Sequence, residues 1–286
     1  MKNSLQYFYN ININELNKID DNYYFNFQNN NFVVMEYKRE DEEALEIYKL
    51  NLYMLNFINT YIIIPTIYNS LLFEFESKKY ILMKIPDLQN RIITINDLLN
   101  PILISDNYKY IDKSNWDTLW EEKIDFYEDL IANNKVKYND KMDSVFYYIG
   151  MWENGIEYFK NSYNISLKYV SHIRMSSDMY LLDFLNPLEL IIDYKARDIG
   201  EYIKSYVFSY NYSMEDINNI FMNINLDRED VILLISRILF PSYFFDNIDN
   251  DTYEYIKKRT NIIILIKFLF DKYKYYNIEY ITWISK

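Results

Sequence analysis

Residues 168–206 constrain the fold more than any other part of the sequence. They contain the only histidine of the chain, His172, and further on an apolar run at 188–192 that ends on Asp193. Residues 197–201 then begin a stretch with the apolar periodicity of an amphipathic helix. The pattern predicts a strand ending at His172, a turn, a strand ending at Asp193, and a helix. This segment is therefore where we look for a functional site.

The size and charge of the chain limit the classes of protein it can be. With 286 residues, 50% hydrophobic and 25% charged, it has enough apolar material for one large domain or two lobes sharing a cleft. The net charge of −12 argues against a nucleic-acid partner, which needs a concentrated basic face. The chain has no cysteine, so disulfides, thiolate nucleophiles and cysteine-based zinc sites are excluded.

No signal peptide and no membrane span are predicted. The N-terminal residues lack the uninterrupted apolar core of a signal peptide. The longest apolar runs, at 61–65 and 262–266, are far too short to cross a bilayer. We therefore expect a cytoplasmic protein.

Residues 1–86 are predicted to form a small lobe of mixed α and β structure. Alternating aromatic and aliphatic residues in the first 37 residues predict short strands joined by Asn-rich turns. Further strands are predicted at 68–75 and 79–85, and a helix at 41–58. The apolar residues at helical spacing in this helix are Leu45, Tyr48, Leu52 and Leu55.

Residues 87–286 are predicted to form a larger, mainly helical lobe. An irregular segment at 86–114 is expected to cross between the lobes. Ser114 with Asp117, and Ser213 with Asp216, are typical of helix N-caps. Further helices are predicted at 141–160, 227–240 and 251–266, with a closing segment to Trp283. The predicted fold class is thus α+β with two lobes.

The order of parts in residues 168–206 is that of the catalytic half of kinase-like phosphotransferases. Such an enzyme carries, two residues after the histidine, the aspartate that accepts the substrate proton, but this chain has Arg174 there. His172 is a candidate general base or metal ligand. A lone histidine cannot build a familiar triad or zinc site, so we expect a structural role for it.

Two aspartates in this segment are candidate site residues. Asp193 ends an apolar strand, which is the usual place for a magnesium-binding carboxylate in phosphoryl transfer. The alternative for Asp193 is a turn cap. Asp198 lies at a helix start, where it is predicted to accept backbone N–H bonds and to tie the helix to the catalytic loop.

The small lobe lacks the glycines of a phosphate-binding loop. The chain has three glycines and none precedes residue 150, so neither a Gly-rich nor a Walker-type loop is possible there. Lys38 is the candidate nucleotide-binding lysine, with Glu42, Glu43 or Glu46 as its partner. The alternative is a solvated lysine among surface acids.

Several strings in the second half of the chain resemble the spore-coat protein family of the YutH/CotS kind. Their order and spacing cover residues 116–246, whereas the small lobe matches only in outline. The strings are FYYIGMWENGIEY at 146–158, SHIR at 171–174, RDIGEYI at 197–203 and RILFPSYFFD at 237–246, with a Trp-containing helix at 116–130.

The resemblance implies a bilobal, protein-kinase-like fold similar to aminoglycoside phosphotransferases and choline kinases. The enzymatic relatives carry an aspartate two residues after the histidine and an asparagine five residues later. These positions fall at Arg174 and Met179, which cannot accept a proton or bind magnesium. We therefore expect a pseudokinase of the spore coat or of sporulation. It would bind other spore-coat proteins or, weakly, a small-molecule ligand, with ATP and Mg²⁺ as cofactors only if the cleft is functional.

Two alternatives stay open at this point. In the first, the chain is an active ATP-dependent small-molecule phosphotransferase, in which Asp178 or Asp183 accepts the proton and Asp193 binds magnesium. In the second, it is a helical adaptor with an empty cleft. The family resemblance implies a location in the cytoplasm or in the spore coat of an endospore-forming bacterium.

Overall fold

The small lobe is built around an antiparallel sheet. The computed structural model describes residues 1–161, 167–209, 213–224, 226–246, 248–249 and 252–273. We use the name small lobe for this sheet and the two helices that pack on it. Its elements are α1 (Lys2–Tyr9), β1 (Asn17–Ile19), β2 (Asn22–Phe27), β3 (Asn30–Glu36), α2 (Asp41–Met54), β4 (Ile62–Ile64), β5 (Phe73–Phe75) and β6 (Lys78–Lys84). The strand order is β1-β2-β3-β6-β4, and β5 pairs with β6.

The helix α1 covers the outer face of the sheet, where strands had been predicted for the N-terminal residues. Leu5 and Tyr9, one helical turn apart, are buried in a cluster with Phe25 and Val34 of the sheet. Residues four apart share one side of a helix, so these side chains can be buried without β structure. The helix ends at Asn10, whose left-handed φ of 54° is a conformation that asparagine tolerates.

The helix α2 packs on the sheet with a different side from the predicted one. Its buried residues are Ala44, Ile47, Leu50, Asn51 and Met54. Leu45 and Leu52, which the leucine spacing had placed inside, are 54% and 45% exposed. The buried side includes a polar residue, Asn51, because its amide donates to the Tyr61 carbonyl at 2.8 Å and accepts from the Ile63 N–H at 3.2 Å.

The segment between the lobes contains two short elements, α3 (Ile95–Leu98) and β7 (Leu103–Ile104). The strand β7 pairs with β8 (Lys168–His172), which pairs with β9 (Leu190–Asp193), both antiparallel. Residues 111–113 run along the other edge of β9, where the Ile192 N–H donates to the Ile111 carbonyl at 2.9 Å. The strand β9 is therefore covered on both edges, up to its last residues.

We use the name large lobe for β8 and β9 together with the helices from residue 116 onward. These helices are α4 (Trp116–Asn133), α5 (Lys135–Tyr138), α6 (Met142–Lys160), α7 (Leu181–Phe184), α8 (Ala196–Phe208), α9 (Met214–Asn223), α10 (Arg228–Leu239), α11 (Ser242–Phe245) and α12 (Thr252–Tyr273). The predicted cap at Ser213 forms, since its hydroxyl accepts from the Asp216 N–H at 3.1 Å. Ser114 is not a cap, because its hydroxyl donates to Asp112 at 2.6 Å. Residue 251 and the predicted closing segment from 274 to Trp283 lie outside the described residues.

A hydrophobic core joins the two lobes. Val33, Ile63 and Met83, from the inner face of the small-lobe sheet, are at most 2% exposed. They form one cluster with Leu188 and Leu190 of the large lobe. The two lobes are therefore packed together directly beneath the sheet. In the part of the chain that the structure describes, no helix is long and apolar enough to span a membrane.

Candidate functional site between the lobes

His172 ends β8 and uses every polar atom of its ring in hydrogen bonds within the protein. Its Nδ1 lies 2.6 Å from Oδ2 of Asp198, and its Nε2 lies 2.7 Å from the Phe184 carbonyl oxygen. A carbonyl oxygen only accepts, so Nε2 carries a proton. The residue is 3% exposed. No ring nitrogen is left for a substrate or a metal, and the geometry is that of a structural histidine.

Asp198 ties the start of α8 to the end of β8. Its Oδ1 accepts from the His172 backbone N–H at 3.2 Å and from Nη1 of Arg197 at 3.0 Å. Burial opposes ionisation of this carboxyl, but the interactions with His172 and Arg197 outweigh it and lower the pKa of Asp198 below its ordinary value. An ionised Asp198 therefore joins the end of β8 to the start of α8, through His172 and Arg197.

Arg197 connects the two strand ends to the helix, a role that the sequence analysis did not assign. Its Nε lies 3.0 Å from Oδ2 of Asp193, and its Nη2 donates to the Ile173 carbonyl at 3.0 Å. Nη1 donates to the His172 carbonyl as well as to Asp198. Helical spacing could not have revealed this role, because Asp193 ends the strand β9 whereas Arg197 lies in the first turn of α8.

Asp193 is enclosed by its neighbours. It is 1% exposed, and its Oδ2 accepts from Nε1 of Trp116 at 3.1 Å as well as from Arg197. Its Oδ1 accepts from the Tyr194 N–H at 2.7 Å. Burial raises the pKa of Asp193 to about 7, against the opposing effect of the charges of Arg197 and Arg237. Both oxygens face protein donors, so this carboxylate does not fit the role of a magnesium ligand in an open cleft.

The three candidate residues that follow His172 in the sequence are exposed to solvent: Arg174, Asp178 and Asp183. Arg174 is exposed and forms no ion pair with any residue that the structure describes. Asp178 is exposed and accepts from the Ser176 hydroxyl at 2.5 Å. Asp183 is exposed on α7, where its charge adds to burial in raising the pKa of Tyr61. No group of three or more His, Asp or Glu side chains suited to a metal occurs among the described residues.

Lys38 and Glu46 are not brought together. Lys38 follows β3, its side chain is 66% exposed, and its Nζ lies 3.6 Å from Asp21 and 3.8 Å from Glu36. The Glu46 carboxylate instead accepts from three consecutive backbone N–H groups, at residues 109–111, at 2.8 to 3.1 Å. Of the other predicted partners, Glu43 pairs with Arg39 at 2.6 Å. A nucleotide-binding role for Lys38 stays a prediction.

The inward-facing side chains of β3 are apolar. The inward residues of β3 are Val33 and Met35, and Sδ of Met35 lies 3.7 Å from Nδ2 of Asn186. Arg39, another residue that the sequence analysis missed, donates from Nη1 to the carbonyl oxygens of Leu188 and Leu190 at 3.0 and 2.7 Å. The space beneath this part of the sheet is thus filled by side chains, and the Arg39 side chain joins the small lobe to the backbone of the large lobe.

The turn between β1 and β2 is short and acidic. It consists of Asp20 and Asp21, and Asp20 has a left-handed φ of 51°. In kinase-like folds a glycine-rich turn covers the nucleotide phosphates, and its backbone N–H groups approach the anion. Two carboxylates in such a position repel a phosphate. This turn contains no glycine, because no glycine precedes residue 150 in the sequence.

Comparisons with known proteins relate the chain to kinases. A family model described as "Spore coat putative kinase YutH" matches residues 2–265. The chain resembles the AMP-bound complex of spectinomycin phosphotransferase APH(9)-Ia, with 14% identity, a TM-score of 0.58, and coverage of 94% of this chain and 96% of that one. Among curated protein sequences, none matches the chain significantly.

Two further solved structures show the same likeness. Amicoumacin kinase hAmiN, in complex with AMP-PNP, Ca²⁺ and Ami, is 8% identical with a TM-score of 0.53, over 93% of this chain and 92% of that one. An aminoglycoside phosphotransferase from Alicyclobacillus acidocaldarius is 6% identical with a TM-score of 0.54, over 95% and 96%. At these identities the likeness establishes the fold, and the predicted bilobal kinase-like fold is confirmed.

Proposed function

The chain belongs to the family described as "Spore coat putative kinase YutH", and on this basis we propose that it is a pseudokinase of the spore coat. In this proposal it keeps the two-lobed kinase fold as a rigid body for binding and does not transfer phosphate. The family membership agrees with the resemblance predicted from the strings in residues 116–246.

One observation carries the proposal, the enclosure of Asp193. In a kinase-like enzyme the carboxylate at the end of this strand must reach a metal ion beside the nucleotide phosphates. Here Arg197 and Trp116 hold its Oδ2, and the side chain is buried. Releasing it would leave the Arg197 charge buried without that partner, which is costly. Magnesium-dependent phosphoryl transfer through Asp193 is therefore disfavoured.

The second support comes from the proton-accepting position. Arg174 stands two residues after His172, and a guanidinium cannot accept a proton at neutral pH. His172 itself has both ring nitrogens engaged. The chain therefore lacks a base at the place where kinase-like enzymes carry one.

The partners in this proposal are other spore-coat proteins or a small-molecule ligand. The protein would be made in the cytoplasm of an endospore-forming bacterium and deposited in the spore coat. The joined hydrophobic core beneath the sheet supports a role as a rigid binding body, because it fixes the two lobes relative to each other.

A turnover experiment separates this proposal from an active phosphotransferase. Purified protein is incubated with γ-labelled ATP, Mg²⁺ and aminoglycoside or choline acceptors, and released or transferred phosphate is measured. We expect no turnover above the protein-free blank. Magnesium-dependent turnover that disappears in Asp193→Ala, or in Asp178→Asn or Asp183→Asn, would establish the enzyme instead. A nucleotide-induced rise in melting temperature without turnover would indicate a pseudokinase that still binds nucleotide.

A further inference from the structure

Two exposed tyrosines lie side by side on the surface of the small lobe. Tyr7, on α1, is 61% exposed, and Tyr68, in the loop between β4 and β5, is 58% exposed. Their ring centroids are 5.7 Å apart, with an angle of 43° between the ring planes. The interaction with the Tyr7 hydroxyl is the main cause that raises the pKa of Tyr68 above its ordinary value. The hydroxyl ends of the two rings therefore lie close together.

The backbone on both sides holds this pair in position. The Ile67 N–H donates to the Phe8 carbonyl at 2.8 Å, so a bond between α1 and the loop lies one residue away from each tyrosine. The loop is a tight turn, because the Thr66 N–H donates to the Ser70 carbonyl at 2.8 Å. The two rings are therefore neighbours because of the fold and need no large backbone movement to touch.

The other tyrosine pairs that the structure describes are less accessible. Tyr23 and Tyr80 have ring centroids 6.1 Å apart, but Tyr80 is 4% exposed. Tyr147 and Tyr148 have ring centroids 5.3 Å apart, but Tyr148 is 2% exposed. Among the described residues, the pair that involves α1 is thus the one in which a reagent in solution reaches both rings.

We propose that Tyr7 and Tyr68 are a site of covalent cross-linking, at which a haem peroxidase with hydrogen peroxide joins the two rings as a dityrosine. Each phenol loses one electron and one proton, and the two phenoxyl radicals form a carbon–carbon bond between the ring positions next to their hydroxyls. The hydrogen atom on each bonded carbon then moves to the oxygen of its own ring, which restores both phenols. The peroxide takes up the two electrons and two protons and becomes two molecules of water.

The proximity of the rings favours coupling within one chain. A ring held beside its partner acts at an effective concentration on the order of mM or higher, whereas micromolar protein offers the rings of other chains at a concentration about a thousandfold lower. The product is a cross-linked monomer, in which a covalent bond ties α1 to the loop between β4 and β5. This site goes beyond the proposed function, and it depends on neither phosphate transfer nor ligand binding.

Limited oxidation followed by peptide mapping tests the proposal. The full-length protein, at low micromolar concentration, is treated with a haem peroxidase and a small excess of hydrogen peroxide and is then digested with trypsin. We expect a monomeric product with dityrosine fluorescence, in which the tryptic peptide of residues 3–18 is joined to that of residues 50–78 with the loss of two hydrogen atoms. The yield per chain should stay the same when the protein is diluted about tenfold, because the coupling is intramolecular.

Phenylalanine variants locate the cross-link, because phenylalanine keeps the ring and has no phenol to oxidise. Tyr7→Phe and Tyr68→Phe should each lower the dityrosine yield at least about tenfold. Tyr180→Phe is the matched control, because Tyr180 is 50% exposed and has no aromatic ring in contact with it among the described residues. It should keep the yield of the unmodified chain. Circular dichroism confirms that the variants are folded, and the same oxidation in urea, where the pair is separated, should give at least about a tenfold lower yield.

Any of three results overturns the proposal. The first is an undiminished dityrosine yield in folded Tyr7→Phe or Tyr68→Phe, which would place the cross-link elsewhere. The second is a yield that falls on dilution and is accompanied by covalent dimers, which would place the coupling between chains. The third is a folded chain that forms no more of this cross-link than the chain in urea. None of these results bears on phosphate transfer, so the failure of this inference and that of the proposed function are distinguishable.

Discussion

Nε of Arg197 lies 3.0 Å from Oδ2 of Asp193, the carboxylate that a kinase-like enzyme would offer to a metal ion. The same guanidinium bonds to Asp198 and to the carbonyl of Ile173. The cation beside Asp193 in this structure is thus a side chain of the protein itself. The consequences can be measured one residue at a time.

Removal of the Arg197 charge should destabilise the fold strongly. Arg197→Gln leaves Asp193 and Asp198 buried with fewer donors, and we expect a loss of about 3–5 kcal/mol in the free energy of unfolding, as for other broken buried pairs. Urea denaturation followed by circular dichroism measures it. Arg174→Gln is the control, because an exposed side chain away from such contacts should change the free energy by less than about 0.5 kcal/mol. Equal effects of the two variants would contradict the assigned network.

The Asp198→Asn variant should lose less stability than the unmodified chain as the pH falls from 6 to about 3. The pKa of Asp198 is lowered in the folded chain, so its carboxylate contributes stability that is fully present above its ordinary pKa of about 3.9 and is lost as the pH falls below that value. The unmodified chain should therefore exceed Asp198→Asn in stability at pH 6, and the gap should narrow towards pH 3. Unfolding midpoints across this range test the sign. A gap that widens in acid would contradict it.

Glu46 should matter for stability and Lys38 should not. Glu46→Gln leaves one acceptor oxygen for three backbone N–H groups, and we expect a loss of about 1 kcal/mol or more in the free energy of unfolding. Lys38→Ala removes an exposed side chain and should change the free energy by less than about 0.5 kcal/mol. Chemical denaturation of both variants makes the comparison. A larger effect of Lys38→Ala than of Glu46→Gln would contradict this assignment of their roles.

Gly200→Ala should destabilise the protein although alanine favours helices. A Cβ at residue 200 would lie 2.9 Å from Cγ and 3.2 Å from Cβ of Arg237. Arg237 cannot move freely, because its Nε bonds to Glu201 at 2.5 Å. We expect overpacking to cost about 1–3 kcal/mol, more than the helix preference of alanine returns. A thermal melt measures it, and an unchanged or raised melting temperature would show that α8 and α10 can separate at this point.

The sequence predicts the large lobe better than the small one, for identifiable reasons. The strand ends at His172 and Asp193 and the helix cap at Ser213 are local signals, and each appears in the structure close to its predicted place. The side of α2 that is buried could not be predicted from leucine spacing alone, because it includes Asn51, whose partners are distant in sequence. The boundary between the lobes at Pro86 stays a prediction.

The candidate site likewise contains features that the sequence reveals and features that appear only in the folded structure. Arg174 and the missing glycines are read directly from the sequence. The enclosure of Asp193 by Trp116 could not be predicted, because 77 residues separate the two. The bonds from Arg39 to Leu188 and Leu190 span 149 and 151 residues and appear only once the lobes are packed together. Sequence patterns do not identify the partner of a polar group when that partner lies far away in the chain.

Mn²⁺ binding, followed by electron paramagnetic resonance in the presence and absence of ATP, tests the central claim most directly. The signal of free Mn²⁺ is compared between the unmodified chain and Asp193→Asn, so that weak binding to surface acids cancels. The account predicts identical titrations, because Asp193 is already engaged by Arg197 and Trp116. A tight site that requires ATP and disappears in Asp193→Asn would show that this carboxylate holds a metal, and it would contradict the account.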